Sequence, residues 1–358
     1  MLADACDKSF DLLHSPVNAT KTGEHTKGDL MKTRLRLAVT LATVCVAIVS
    51  ARPAVAQDVT LRYRWTKGEE FRYRTIQQSS ATVPRMGIPG DLGAMATDQT
   101  ISQVIRTIVD DVAADGTATL RQVIESVRVE MNNPMGKMVF DSTTSNSNLA
   151  ANPMGQILSG MYSAMIGQSV TVVTSPTGAV QRIEGMSRLM DNMLKNLTQN
   201  PAAVAGLLDG LKNTFSDDAM QDLSARGFAQ FPDRPLKPGD TWDDRFTGGF
   251  AMFGAITTSR TSTLQGVESR GASAVARITA KLTMKSDPAA TPPSVGPFTM
   301  QMGESTGDSE LLFDVARGRT QRVMTAILQP MDVSGTAPDG SSFSMRTLVK
   351  FTMTLELQ

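Results

Sequence analysis

Cysteine and histidine are nearly missing from this sequence. There are two of each in 358 residues: Cys6, Cys45, His14 and His25. All four lie before the Ala54-Val55-Ala56 stretch, so the chain beyond it has neither residue. That excludes disulfides there, Cys/His zinc sites, cysteine nucleophiles and Ser-His-Asp triads. No G-x-x-x-x-G-K-[ST] phosphate loop, G-x-S-x-G elbow or EF-hand loop is present. A carboxylate pair could still serve a glycosidase, but two Trp and three Tyr are few for sugar platforms. Long apolar runs are also scarce. The longest, Leu37–Val49, falls short of the roughly 20 residues a membrane-spanning helix needs.

That run has another use. Met31 opens a better N-terminus than Met1, with Lys32, Arg34 and Arg36 before the apolar stretch and Ala54-Val55-Ala56 after it. This is the layout of a signal peptide over 31–56, cleaved between Ala56 and Gln57. Residues 1–30 then read as an upstream extension or a mis-called start. The expectation is export to the periplasm or the cell exterior, with no membrane span in the mature chain. Residues 57–358 carry 28 basic and 30 acidic side chains, seven and five fewer than the whole chain's 35 of each. Such a balance is no footprint for nucleic acid.

What is present is mostly strand pattern. Val59-Thr60-Leu61-Arg62-Tyr63-Arg64-Trp65 alternates apolar with polar, and so does Phe71-Arg72-Tyr73-Arg74. With Lys67-Gly68-Glu69 between them they read as a hairpin, Trp65 pairing with Phe71 and the arginines outside. A second strand pair over 101–131 turns at Asp115-Gly116. Its alternation changes phase between Ile124 and Val127, predicting a bulge near Glu125 or Ser126. Short strands follow at 137–144, 169–175 and 179–184. The chain is β again from Pro232, and its last strand, 343–357, is expected to be the longest. Ser286–Pro297, with four prolines, reads as a loop. Apolar residues at helical spacing predict helices at 153–167, 186–198 and 202–215. The expected fold class is α+β: a large curved antiparallel sheet with Met-rich amphipathic helices on one face. Residues 57–358 form a single domain in this reading.

Three fragments recur in order. Lys67–Phe71 resembles Pro238–Trp242, Val112–Ala118 resembles Val267–Ser273, and Gly178–Ile183 resembles Gly318–Val323. Pseudo-repeats over about 57–185 and 232–358, joined by helices across 186–226, would account for them. The fragments "KGEEFRYR", "FPDRPLKPGDTW" and "GDSELLFDVARGRTQRV" resemble a family of exported bacterial proteins of unknown function, over most of 57–358. That resemblance implies no activity and no catalytic residue. Long antiparallel strands with helices on one face are also similar in architecture to lipoprotein carriers, where a curved sheet holds an acyl chain.

Candidate ligand-binding residues are Trp65, Phe71, Tyr73 and Trp242, as an aromatic wall, and Met161, Met165, Met190 and Met193, as an adaptable apolar lining. For all of them core packing is the competing reading. Convergent methionines could take Cu(I), but helical spacing already explains them, so no metal and no cofactor are expected. The arginines 62, 64, 72 and 74 are either an anion-binding face or a solvated one neutralised by neighbouring strands. Adjacent Asp243 and Asp244 point to opposite sides of a strand and do not converge on a cation. The expected function is non-enzymatic: binding of an apolar ligand, such as an acyl chain or lipid, or of a partner protein. A structural, surface-associated protein is the alternative, and a carboxylate hydrolase a more distant one.

Overall fold

The computed structural model describes residues 58–84, 94–133, 136–144, 153–197, 229–250, 254–270, 273–286, 294–295, 298–336 and 342–358. The signal-peptide region, the cleavage site Ala56/Gln57 and the helix expected at 202–215 lie outside them. The strands are β1 (Glu70–Pro84), β2 (Ala94–Val112), β3 (Ala118–Asn133), β4 (Gly136–Asp141), β5 (Ser169–Thr174), β6 (Val180–Glu184), β7 (Thr241–Phe250), β8 (Gly254–Arg270), β9 (Ser273–Ser286), β10 (Ser294–Val295), β11 (Phe298–Met302), β12 (Ser305–Asp314), β13 (Arg319–Thr336) and β14 (Ser342–Leu357). The helices are α1 (Pro153–Met165) and α2 (Met186–Leu197).

All the strands join one 14-stranded antiparallel sheet, in the order β6-β5-β3-β2-β1-β14-β13-β12-β9-β8-β7. β4 pairs with the far half of β3, and β10 and β11 extend from β13. This overturns the α+β expectation. Nearly all the regular structure among the described residues is antiparallel strand, with two helices. The stripes at 153–165 and 186–197 do form helices. They pack on one another and over the β2–β5 flank, where Met161, Met165 and Ile166 meet Val127, Val129 and Phe140. They do not make a layer across the sheet. Nor is β14 the longest strand, since β2, β8 and β13 all exceed it.

The predicted opening hairpin is absent as well. Residues 59–65 pair with neither edge of β1, which lies between β2 and β14. Instead they cross the ends of other strands. Val59 bridges Leu236, Tyr63 N donates to Pro176 O at 2.7 Å, and Arg64 N donates to Gly318 O at 3.1 Å. Phe231 N likewise donates to Thr177 O at 2.9 Å. Segments 58–66 and 229–236 therefore form a plug at the end of the sheet that carries the β5–β6 and β12–β13 turns, and the two flanks of the sheet meet through it. The alternation in 59–65 is real, with Leu61 and Tyr63 buried. Its hydrophobic partners are Phe231, Leu236, Leu264, Ile278, Leu311 and Phe313. Alternation sets which side chains face inward, and it is silent about which backbone pairs.

The ladders repeat a pattern. Gly68 N and Val109 N bond Val109 O and Glu69 O, and Gly239 N and Leu264 N bond Leu264 O and Asp240 O in the same way. β2 skips Asp110 against β3, as β8 skips Gln265 against β9. β6 skips Gln181 against β5, as β13 skips Gln321 against β12. The further bulge expected in β3 is also present, with Glu125 left out between Ile124 and Ser126.

Candidate functional site

The aromatic residues singled out in the sequence do come together, at the plug. Tyr63 stacks on Trp65 at 5.6 Å, Trp65 on Phe71 at 5.9 Å, and Phe71 meets Tyr73 edge-on at 5.5 Å. The Arg319 guanidinium lies 4.3 Å from the Phe71 ring centre and 5.4 Å from that of Trp65, within cation–π range. It also pairs with Glu69. Tyr73 Oη donates to Thr320 O at 2.8 Å. Burial pushes the Tyr63 hydroxyl up to about 12 and raises that of Tyr73 too. Both tyrosine hydroxyls meet Thr320 and the rings face each other, so this row is packed core. Trp242 is separate: it flanks the core around Phe231 and Phe313, and its Nε1 donates to Gln230 O at 3.1 Å. Met161 and Met165 belong to a different cluster under α1. Met190 and Met193 lie in α2, with side chains outside the described residues.

Two of the four arginines, Arg62 and Arg72, pair with neighbouring acids. Arg72 binds Glu125 at 2.7 Å, Arg106 bridges Glu70 and Glu125, and Arg62 pairs with Asp233. Arg74 Nε reaches Ser102 Oγ at 3.4 Å. The bond from Arg72 holds the Glu125 carboxyl below the usual carboxylate range. The same holds across the sheet on this face, where Arg121–Asp110, Arg277–Glu310 and Arg346–Asp332 form further pairs.

The opposite face, the one that carries the plug, is different in kind. A single ladder row crosses ten strands on it: Asp244, Arg260, Leu282, Gly307, Ile327, Phe351, Ser79, Gln99, Met131 and Met138. The rows beside it hold Ser309, Thr325, Met353, Gln77 and Ile101, and Val349 and Ala81. Ile327, Val349, Phe351 and Met353 are half-buried. Between the plug and the far strand ends, register puts one acid and one base on this face among the described residues, Asp244 and Arg260, and they pair with each other. Asp243 points the other way, accepting from Thr261 Oγ1 at 2.6 Å. Sequence reasoning missed this face because it took the helices as the lining. The signal was available in β14, where Phe343, Met345, Val349, Phe351, Met353 and Leu355 share one side. No group of three or more metal-ligating side chains occurs among the described residues. No helix among them is long and apolar enough to cross a membrane.

Comparison with solved structures gives low likenesses. A structure titled "Lipid-protein interactions in lipovitellin" matches over 82% of this chain at 9% identity with a TM-score of 0.41, and the chain spans 25% of that chain's length. The outer-membrane protein OmpT of Vibrio cholerae matches with 7% identity and a TM-score of 0.15, over 82% of this chain and 99% of that one. The outer-membrane protein opdK of Pseudomonas aeruginosa matches with 7% identity and a TM-score of 0.12, over 81% of this chain and 98% of that one. No curated protein matches the sequence. A family model does match, over residues 115–318, from the β2–β3 turn to the β12–β13 turn, and so the chain belongs to the Family of unknown function (DUF6263).

Proposed function

We propose that this is an exported, non-enzymatic protein that binds an apolar ligand, an acyl chain or lipid, along the plug-side face of its central strands. One observation carries the reading: the two faces of the sheet differ in chemistry. The face away from the plug is laced with ion pairs, with Met324, Leu328 and Leu348 exposed among them, as a face in water would be. The plug-side face of β13 and β14 offers Val323, Ile327, Val349, Phe351, Met353 and Leu355 in adjacent rows. These side chains are half-buried rather than closed over by α1 or α2. Contiguous apolar surface beyond a few hundred Å² marks interaction sites. Neighbouring Gln77, Ser79, Gln99 and Thr325 supply uncharged hydrogen-bonding groups without the desolvation cost of charges. The shortage of histidine and cysteine supports a binding rather than a catalytic role, and the Met31–Ala56 pattern supports export.

Protein purified from its native cell should carry lipid visible by native mass spectrometry and organic extraction, and should bind a fluorescent fatty acid. Phe351→Glu and Ile327→Glu should abolish that binding while far-UV circular dichroism stays unchanged. A folded wild type that carries no lipid and binds no such probe would sink the proposal.

We also infer that the two halves descend from one unit, with β1-β2-β3-β5-β6 equivalent to β7-β8-β9-β12-β13. Matching bulges and matching glycine turns support this. If the turns are equivalent, the first should accept the second's proline. Thr66-Lys67-Gly68-Glu69 closes on a bond from Glu69 N to Thr66 O, with Gly68 at φ 82°, and Lys237–Asp240 closes likewise with Pro238 before Gly239. Lys67→Pro should therefore stabilise the protein by about 0.4–1 kcal/mol, less any small loss from the exposed Lys67–Asp111 pair. Loss of folding in that variant, followed by thermal melting, would count against the equivalence.

A further inference from the structure

Asp244 and Arg260 face each other directly across the β7–β8 ladder, with side chains 16% and 15% exposed. Such a pair loses solvation that mutual attraction offsets only in part. A cross-strand pair needed merely to hold β7 in register could sit on the opposite face, where Arg277 and Glu310 do that work in water. Here it lies on a stretch of face, between the plug and the far strand ends, that register leaves otherwise uncharged among the described residues. Arg260 also brings more donors than Asp244 uses. Its Nη2 donates to Asp244 Oδ2, and its Nε is buried without a hydrogen-bond partner, out of the five N–H donors a guanidinium carries. The ladder row continues from Arg260 through Leu282 and Gly307, which has no side chain, to Ile327 and Phe351. Ile327 is three strand spacings from Arg260, about 14 Å along the sheet.

Resting on the binding reading above, we propose that Arg260 anchors the oxyanion head of an amphiphile whose chain lies along Leu282, Ile327 and Phe351, with Asp244 holding the guanidinium in place before the ligand arrives. A planar fork of donors suits a carboxylate or a phosphate monoester. Charge on the ligand then replaces part of what a buried arginine lacks. The uncharged remainder of the face takes the chain.

The experiment compares oleate, lysophosphatidic acid and oleyl alcohol on the full chain, by displacement of a fluorescent fatty acid. Wild type should prefer an anionic ligand over the alcohol by about tenfold or more, the worth of a charge-assisted hydrogen bond. Arg260→Gln should erase that preference and leave alcohol affinity within about twofold. Asp244→Asn should keep or strengthen anion binding. The double variant Asp244→Asn/Arg260→Gln serves if the single one misfolds, since it leaves no unpaired buried charge. Loss of preference for oleate alone identifies a carboxylate head, and for lysophosphatidic acid alone a phosphate. Equal wild-type affinity for all three, or a preference that survives in the double variant, overturns the anchor while the binding reading stands. If none of the three binds, both fall.

Discussion

Gly318→Ala tests whether the plug is seated as described. Gly318 turns β12 into β13 at φ 63°, a left-handed conformation. A Cβ there would lie 2.5 Å from Arg64 N, 2.5 Å from Arg64 Cγ and 2.7 Å from Arg62 O. Two of those atoms are backbone and cannot swing away. Gly68 and Gly239 are the controls: at φ 82° and 92° they are equally left-handed, but a Cβ meets nothing within 4 Å. Alanine at either control position should cost only the conformational term, about 1–2 kcal/mol. Alanine at 318 adds overpacking of about 1–3 kcal/mol, for a total of about 2–5 kcal/mol. Equilibrium urea unfolding followed by tryptophan fluorescence measures all three, with Trp65 reporting from the plug itself. Gly318→Ala no more destabilising than Gly68→Ala would refute the close seating of residues 62–64 on this turn.

Two further expectations concern the aromatic row. Trp65→Ala should cost about 3–5 kcal/mol, while Arg74→Gln should stay within about 0.5 kcal/mol; equal effects would mean the assignment of faces is wrong. Burial raises the Tyr63 pKa from 10.0 to about 12, so its contribution is complete below about pH 10 and is lost as pH rises towards 12, because the unfolded chain ionises first. Each unit is about 1.4 kcal/mol, and Tyr63→Phe should flatten this alkaline slope in denaturation midpoints measured between pH 9 and 11; an unchanged slope would place the Tyr63 hydroxyl in water.

Local features were legible in the sequence, and long-range pairing was not. Gly68 and Gly116 were read as turn glycines, and each has positive φ. The phase change around Glu125 announced a bulge because a one-residue slip moves every later side chain to the other face. The opening stretch failed for a complementary reason. Alternation in 59–65 correctly put Leu61 and Tyr63 inside, yet the nearest strand in sequence was not the partner. The contacts that hold this stretch come from Pro176, Leu236 and Gly318, more than 100 residues away. Helical spacing located α1 and α2, but it could not say that long strands would leave them at one flank. As for the site, the opposite orientations of Asp243 and Asp244 followed from strand parity. Pairing of Asp244 with Arg260 needed the register of β7 on β8.

The strand order has a consequence for how the chain reaches this state. β1 pairs with β14, so Tyr73 lies beside Leu357, which follows it by 284 residues in the sequence. The middle of the sheet therefore cannot zip until β14 has been made, although β1–β3 and β7–β9 can each form as local hairpins beforehand. Closing so large a loop costs chain entropy before any contact repays it, and topologies of this kind fold slowly. Until β14 arrives, one side of β1 and one side of β13 are open edges, the part of a β protein most prone to pairing with the wrong chain. Loss of β14 would thus leave the two half-sheets unjoined and sticky.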